Sequence, residues 1–319
     1  MKILLIGPRP PPHGGISVHV AGLHEQLIRD GITCEVLDTG KGGLGPAFAW
    51  SLLRYGLCGW QLQLHTNGHN RKSWLLAVAC GIVGLPGGGG VLTLHSGMAP
   101  GYLQSSPWPQ RLAKVAGSLY GRIVCVSSAI EEALIGAGVA SDKIELSPGY
   151  LKVRMPATPL NSLLDDWMAR HVPVFSTTIF FRPEYGFDLL ISALAKLRHG
   201  HPAVGCVVMG SGEQRAAAER LVQQAGLDDA VLLAGDVDHE TCLAVMARSS
   251  VFLRPTLEDG DSISVREALA LKIPVIASRV GTRPPGTMLF RRGDSTDLLE
   301  KIESALKWSC ETEGSHASA

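Results

Sequence analysis

No net charge remains when the 29 Lys and Arg of this 319-residue chain are set against its 29 Asp and Glu. A wide nucleic-acid footprint needs a clear basic excess, so that class of partner is excluded. Cysteine occurs without pattern: the seven lie at 34, 58, 80, 125, 206, 242 and 310, with no Cys-x-x-Cys pair and no metal-ligand spacing. Cys34, Cys80, Cys125 and Cys206 sit inside apolar runs and read as small core residues of a reducing compartment. A secretory signal is not evident, because Met1–Gly7 is too short for one and ends in a turn signal. The longest apolar run, Trp74–Leu85, falls well below the ~20 residues that a spanning helix needs. The loop after the first strand lacks the Gly-x-Gly-x-x-Gly dinucleotide fingerprint, which argues against a hydride-transferring dehydrogenase.

What is present is an apolar content of 45% and a length that suits two domains. Lys2–Ile6 reads as a buried strand, and Ile16–Arg29 has helical spacing with Val18, Leu23, Leu27 and Ile28 apolar. Between them lies Gly7-Pro8-Arg9-Pro10-Pro11-Pro12-His13-Gly14-Gly15. Gly14 and Gly15 stand where strand becomes helix, so backbone N–H groups there can approach an anion. Alternation continues through strands at 33–37, 62–64, 91–94, 123–126 and 143–146 and a helix at 72–83, with a helix capped by Ser128. Polar residues recur at strand ends: His65, His95 and Ser127, with His13 nearby. In an open parallel sheet such ends meet in one crevice. The segment Ala47–Trp60 carries Trp50, Tyr55 and Trp60 with the single charge Arg54, and its apolarity predicts a buried helix.

Pro148-Gly149, Pro156 and Pro159 break the alternation, and a second half of the same kind follows. The reading is an α/β protein of two Rossmann-like doubly wound domains facing each other across a cleft. Residues 1–157 form the first domain, 158–172 a linker, 173–310 the second domain and 311–319 a frayed tail. In the second half, strands end in Gly210-Ser211-Gly212-Glu213 and in Gly235-Asp236.

The most informative stretch is Arg254–Ser278, RPTLEDGDSISVREALALKIPVIAS. It reads as the end of a strand, an acidic loop, a helix over 262–271 and a Pro-led strand. Two carboxylates, Asp259 and Glu267, flank a helix N-terminus, which favours anions through its unpaired N–H groups and its dipole. A sugar diphosphate would satisfy both, its hydroxyls meeting carboxylates and its phosphates meeting N–H groups. A structural reading competes. Ser264-Val265-Arg266-Glu267 matches a capping box, Asp261 matches an N-cap and Asp259-Gly260 is a common turn pair.

Taken together these residues resemble family four of the retaining, nucleotide-sugar-dependent glycosyltransferases, which have the GT-B fold. The resemblance runs from Met1 to about Trp308 and is most specific over Asp259–Ser278. It implies catalytic roles for His95, Arg182, Asp259 and Glu267. Asp259 would take donor-sugar hydroxyls, Glu267 the ribose hydroxyls, and His95 would lie by the reacting centre. Gly14, Gly15, Ser262, Ile263 and Ser264 would cradle the diphosphate. Gly210, Gly212, Glu213 and Gly235 would hold the nucleobase. Two departures stand out. The family's first acid is usually glutamate, where this chain has Asp259. An Arg and a Lys usually precede the first helix of the second domain, where this chain has Phe180 and Tyr185. Arg182 is the nearest cation, with Arg254, Arg279 and Arg283 as substitutes.

The resemblance implies transfer of a sugar from a nucleoside-diphosphate sugar, with retention, to a glycan or lipid-linked acceptor of cell-surface polysaccharide or glycolipid synthesis. No cofactor and no metal is expected, although Asp259-Gly260-Asp261 and Asp236-Val237-Asp238 both spell Asp-x-Asp. A cytoplasmic location is expected, with peripheral contact at the inner face of the membrane left open. A nucleotide-sugar 2-epimerase of the same fold and a non-catalytic nucleotide-sugar-binding relative are the alternatives.

Overall fold

Strand and helix alternate through each of two units in the computed structural model. It describes residues 1–316 except 41–42, 148–152, 154 and 157–158, with the backbone alone at 308–316. The expected boundary at 157/158 and the Pro148-Gly149 turn fall outside the described residues. Grouped by contacts, one unit holds residues 1–151 with the loop Asp259–Ile263, and the other holds 152–258 with 264–319.

The first unit contains β1 (Lys2–Gly7), α1 (Gly15–Arg29), β2 (Thr33–Asp38), α2 (Pro46–Leu57), β3 (Gln61–Thr66), α3 (Arg71–Gly84) and β4 (Val91–Leu94). It continues with α4 (Ala99–Gln104), α5 (Pro107–Leu119), β5 (Arg122–Cys125), α6 (Ser128–Gly136) and β6 (Ile144–Leu146). The strands form one parallel sheet in the order β2-β1-β3-β4-β5-β6. Side chains alternate across the sheet, so β1 feeds two cores. Leu4 and Ile6 join Leu62, Leu64 and Trp74 on one face, and Ile3 and Leu5 join Val20 and Cys34 on the other. The order reverses between β1 and β3, so a crevice opens beyond the ends of these two strands.

The second unit contains α7 (Ser162–Ala169), β7 (Val174–Thr178), α8 (Phe187–Leu197), β8 (Gly205–Met209), α9 (Arg215–Gln224) and β9 (Val231–Gly235). After these come α10 (His239–Ala247), β10 (Val251–Arg254), α11 (Ile263–Ala270), β11 (Val275–Ser278), β12 (Thr287–Phe290) and α12 (Ser295–His316). Its sheet, β12-β11-β10-β7-β8-β9, is also wholly parallel and reverses between β7 and β10. Cys206 and Val208 pack to one side, Val207 and Met209 to the other.

Three expectations change. The helix at 46–57 is not buried: Trp50 is 70% exposed, Leu53 43% and Leu57 75%, and only Leu52 and Gly56 are enclosed. Gly56 is what lets the inner face sit tight on α3, where a Cβ would overlap Val83. The cap of α6 is Ser127 rather than Ser128, because Ser127 has the extended backbone of an N-cap. The last helix runs on to His316, where a frayed tail was expected from 311. The four cysteines expected in the core are all buried there.

Candidate active site

In the first unit the parallel pairing of β3 with β4 places His65, near the end of β3, and His95, just beyond β4, side by side. His65 Nδ1 lies 3.2 Å from His95 Nε2. A third imidazole, His19 on α1, has its ring centre 5.2 Å from that of His65 and 5.1 Å from that of His95. Burial disfavours the charged imidazolium, and His19 adds to that effect at both rings. His65 is pushed down to about 3, and His95 falls well below its ordinary value, with His65 contributing as well. The convergence of histidines at strand ends is thus realised by His65 and His95. His19 escaped the sequence reading because a lone histidine on an amphipathic helix looks like any polar position.

At the entrance to α1, Gly14 is the N-cap, and its N–H donates to Ser17 Oγ at 2.9 Å. That hydroxyl donates in turn to the Pro12 carbonyl at 2.7 Å, which pins the proline-rich loop onto the first turn. A Cβ on Gly15 would meet open space, so protein packing does not demand glycine there. The acidic loop groups with this unit. A Cβ on Gly97 would overlap the Asp259 carbonyl oxygen, and one on Gly260 would clash with the His95 carbonyl. Backbone of the loop after β4 therefore runs directly against Asp259-Gly260, and glycine at both positions permits it. The Gly260 N–H donates to Asp259 Oδ1 at 3.1 Å, while Asp261, Ser262 and Ile263 are buried. Glu258, the neighbouring acid, is engaged by Arg292.

In the second unit Glu267 sits on α11, which brings its carboxylate to α10. The side chain is 8% exposed, and Oε1 accepts a hydrogen bond from His239 Nε2 at 2.6 Å. This is a tertiary contact and not only the local bond of a capping box. Ser264, next to the start of α11, is half-buried. His239 was missed by sequence reasoning, although its place at the helix start after the Gly235-Asp236 loop was the available signal. Asp238, in the second Asp-x-Asp, caps α10 by accepting from Thr241 N and Thr241 Oγ1, both at 2.8 Å.

The two aromatic residues at the expected cation positions each carry an arginine. Arg182 is exposed, with its guanidinium 5.8 Å from the Phe180 ring centre. Arg254 is 9% exposed at the end of β10, 5.3 Å from the Tyr185 ring centre, and donates to the Thr178 carbonyl at 2.6 Å. Phe180 and Tyr185 themselves meet edge-to-face at 5.8 Å. Arg283 spans Ser278 O and Thr256 Oγ1, each at 3.1 Å. Gly210 has φ 137°, and a Cβ there would overlap the Ile179 carbonyl, so only glycine allows this turn. Its N–H donates to the Gly235 carbonyl at 2.7 Å, which joins the two expected nucleobase loops. Gly212 follows in the same turn, where its φ of 155° brings it against the backbone of Phe181, and Glu213 is exposed. Chemically, the second unit offers a buried carboxylate, a buried guanidinium and glycine turns at strand ends. The first unit offers a glycine-flanked helix start, neutral imidazoles and an acidic loop.

Residues 177–309 match the family described as glycosyl transferases group 1. Among curated proteins, the chain is 26% identical over 201 residues to the phosphatidylinositol N-acetylglucosaminyltransferase gpi3 subunit of Schizosaccharomyces pombe, covering 61% of this chain and 43% of that one. It is 29% identical over 126 residues to a GDP-mannose-dependent α-(1-6)-phosphatidylinositol monomannoside mannosyltransferase of Mycolicibacterium smegmatis, covering 36% and 33%. The chain thus spans less than half the length of these relatives. Anabaena Alr3699/HepE, solved in complex with UDP-glucose, superposes with a TM-score of 0.70 at 17% identity over 98% of this chain and 92% of that one. Sucrose-phosphate synthase from Thermosynechococcus elongatus gives 0.69 at 20% identity over 96% and 90%. The two parallel six-stranded units have the GT-B fold.

Proposed function

We propose that the chain is a glycosyl transferase of group 1, the family matched by residues 177–309, and that it moves a sugar from a nucleoside diphosphate to a lipid-linked or glycan acceptor, with retention of configuration. The observation that carries this reading is Glu267. It is an almost fully buried carboxylate, and its hydrogen bond from His239 occupies one oxygen and leaves lone pairs for hydroxyl donors. In this proposal Glu267 accepts from the ribose and Asp259 from the sugar. Gly14, Gly15 and the amides of Ser262, Ile263 and Ser264 hold the diphosphate, and His95 lies by the reacting centre.

The barrier lies in forming an oxocarbenium-like sugar while charge builds on the leaving phosphate. Fixed donors stabilise that charge without reorganising. Arg182 and Arg254 supply the cations that Phe180 and Tyr185 cannot, each lying within cation–π reach of one of those rings. The leaving phosphate accepts the proton of the attacking hydroxyl, and in this scheme Arg182 and Arg254 neutralise the diphosphate charge in place of a bound Mg²⁺.

A membrane-borne acceptor is supported by the first unit. Trp50, Leu53 and Leu57 recur at helical spacing on the exposed face of α2. From 39 to 130 the chain has no Asp or Glu but seven Lys and Arg, which suits an anionic lipid surface. No described helix is long and apolar enough to cross a membrane. The test is a panel of nucleotide sugars incubated with and without acceptor lipid, followed by product analysis. Acceptor-dependent release of nucleoside diphosphate supports transfer. Isomerised donor without acceptor identifies an epimerase instead, and binding without turnover in every mixture identifies a non-catalytic relative.

A further inference from the structure

We propose that His19, His65 and His95 form a binding site for one divalent transition-metal ion, at the crevice end of the first sheet. One ring nitrogen from each lies within 4.8 Å of the other two. Around four-coordinate zinc with bonds of about 2.0–2.1 Å, ligand nitrogens stand about 3.3 Å apart. His65 Nδ1 and His95 Nε2, at 3.2 Å, already have that spacing. The third ligand needs only a modest ring movement, and His19 is carried on the second turn of α1.

The hydrogen bonds of the cluster do not account for it. His65 is 4% exposed, and its Nε2 is buried with no hydrogen-bond partner. Either neutral tautomer of His65 therefore leaves Nε2 without a partner, and the contact with His95 satisfies Nδ1 alone. Three imidazoles select the ion class. Nitrogen donors suit Zn²⁺, Co²⁺, Ni²⁺ or Cu²⁺ and not Mg²⁺ or Ca²⁺, which take oxygen. Three protein ligands leave a fourth position for water or another ligand.

The consequence for turnover rests on the proposed function. If His95 touches the donor sugar, a metal that claims its ring competes with donor binding. Such an ion is an inhibitor and not a participant in transfer. Metal binding itself is independent of that reading and can be measured without nucleotide.

The experiment titrates chelator-treated protein with Co²⁺ and follows the visible absorption of the bound ion, then displaces it with Zn²⁺ against a chelating indicator. One equivalent bound at micromolar or lower concentration is expected, with an absorption intensity characteristic of four-coordination. His65→Gln and His19→Gln should each weaken binding at least tenfold while retaining the wild-type circular dichroism. His24→Gln, at a half-buried position further along α1 and outside the cluster, should bind as wild type. Binding that appears only at millimolar metal, or that is unchanged in both cluster variants, overturns the site. If either variant fails to fold, carbethoxylation of the histidines with and without Zn²⁺ replaces it. Protection of all three rings supports the site, and equal labelling overturns it. Loss of donor-induced thermal stabilisation on adding Zn²⁺ tests the competition separately.

Discussion

In the proposed function, recognition of the nucleotide turns on Glu267, the buried carboxylate of α11 that contacts His239. Glu267→Ala should reduce kcat/KM by on the order of 10²–10³, the cost of deleting one well-placed polar contact at comparable sites. Steady-state release of nucleoside diphosphate measures it, and an unchanged value removes Glu267 from the site. His239→Ala should produce a smaller loss, mostly in KM, since the carboxylate survives but is no longer held. The arginines divide by burial. Arg254 is fixed by the Thr178 carbonyl and the Tyr185 ring, so Arg254→Lys should lose nearly as much activity as Arg254→Ala, because an ammonium cannot replace the planar fork. Arg182, exposed beside Phe180, tolerates Lys better. If Arg254→Lys retains wild-type turnover, a point charge suffices there and the stacked geometry is immaterial. At this scale the sequence showed the acids and the glycines clearly, because Asp259-x₇-Glu267 and Gly14-Gly15 are local patterns. It could not show that His239 and Glu267 meet across 28 positions, since such a contact exists only once α10 and α11 are packed.

Among the elements, α2 and α3 make the clearest predictions. The exposed row Trp50, Leu53 and Leu57 gives nothing to the core, so Trp50→Ser with Leu57→Ser should leave thermal stability unchanged or slightly raised. The same double variant should lose most co-sedimentation with vesicles containing anionic lipid. Retained binding would mean that another surface meets the membrane. Trp74 is the opposite case. It is 1% exposed on α3, and its indole N–H donates to the Gly68 carbonyl at 2.9 Å, which fastens the loop beyond His65. Trp74→Ala should cost about 3–5 kcal/mol, read by denaturant unfolding. The apolar spacing of α2 predicted a helix correctly but not its exposure, because periodicity identifies an apolar face without saying what covers it. α4 and α5 left no sequence signal. Both open on proline within their first turn, and Gly101 and Gly117 interrupt them, so they look like loop until the N-terminal preference of proline is considered. β12 is an edge strand in which Phe290 alone is fully buried, so it lacks the enclosed apolar run that marked the central strands.

On the scale of the whole molecule, alternation of apolar strands with amphipathic helices was enough to identify two doubly wound units, and strand order then determined where each could bind a ligand. The first unit reverses between β1 and β3, beside His65 and Gly14, and the second between β7 and β10, beside Arg254 and the Gly210 turn. Strand order is a tertiary property, so these crevices could be expected as a class but not located from sequence. The central claim is that the chain holds a nucleoside-diphosphate sugar through Glu267, and thermal unfolding of wild type and Glu267→Ala across a panel of UDP- and GDP-sugars tests it directly. Ligand at one hundred times its Kd stabilises the folded state by about 2.7 kcal/mol. The account predicts a raised Tm in wild type with at least one donor and little or none in the variant. It is contradicted if no donor shifts wild type, or if Glu267→Ala shifts as far as wild type does.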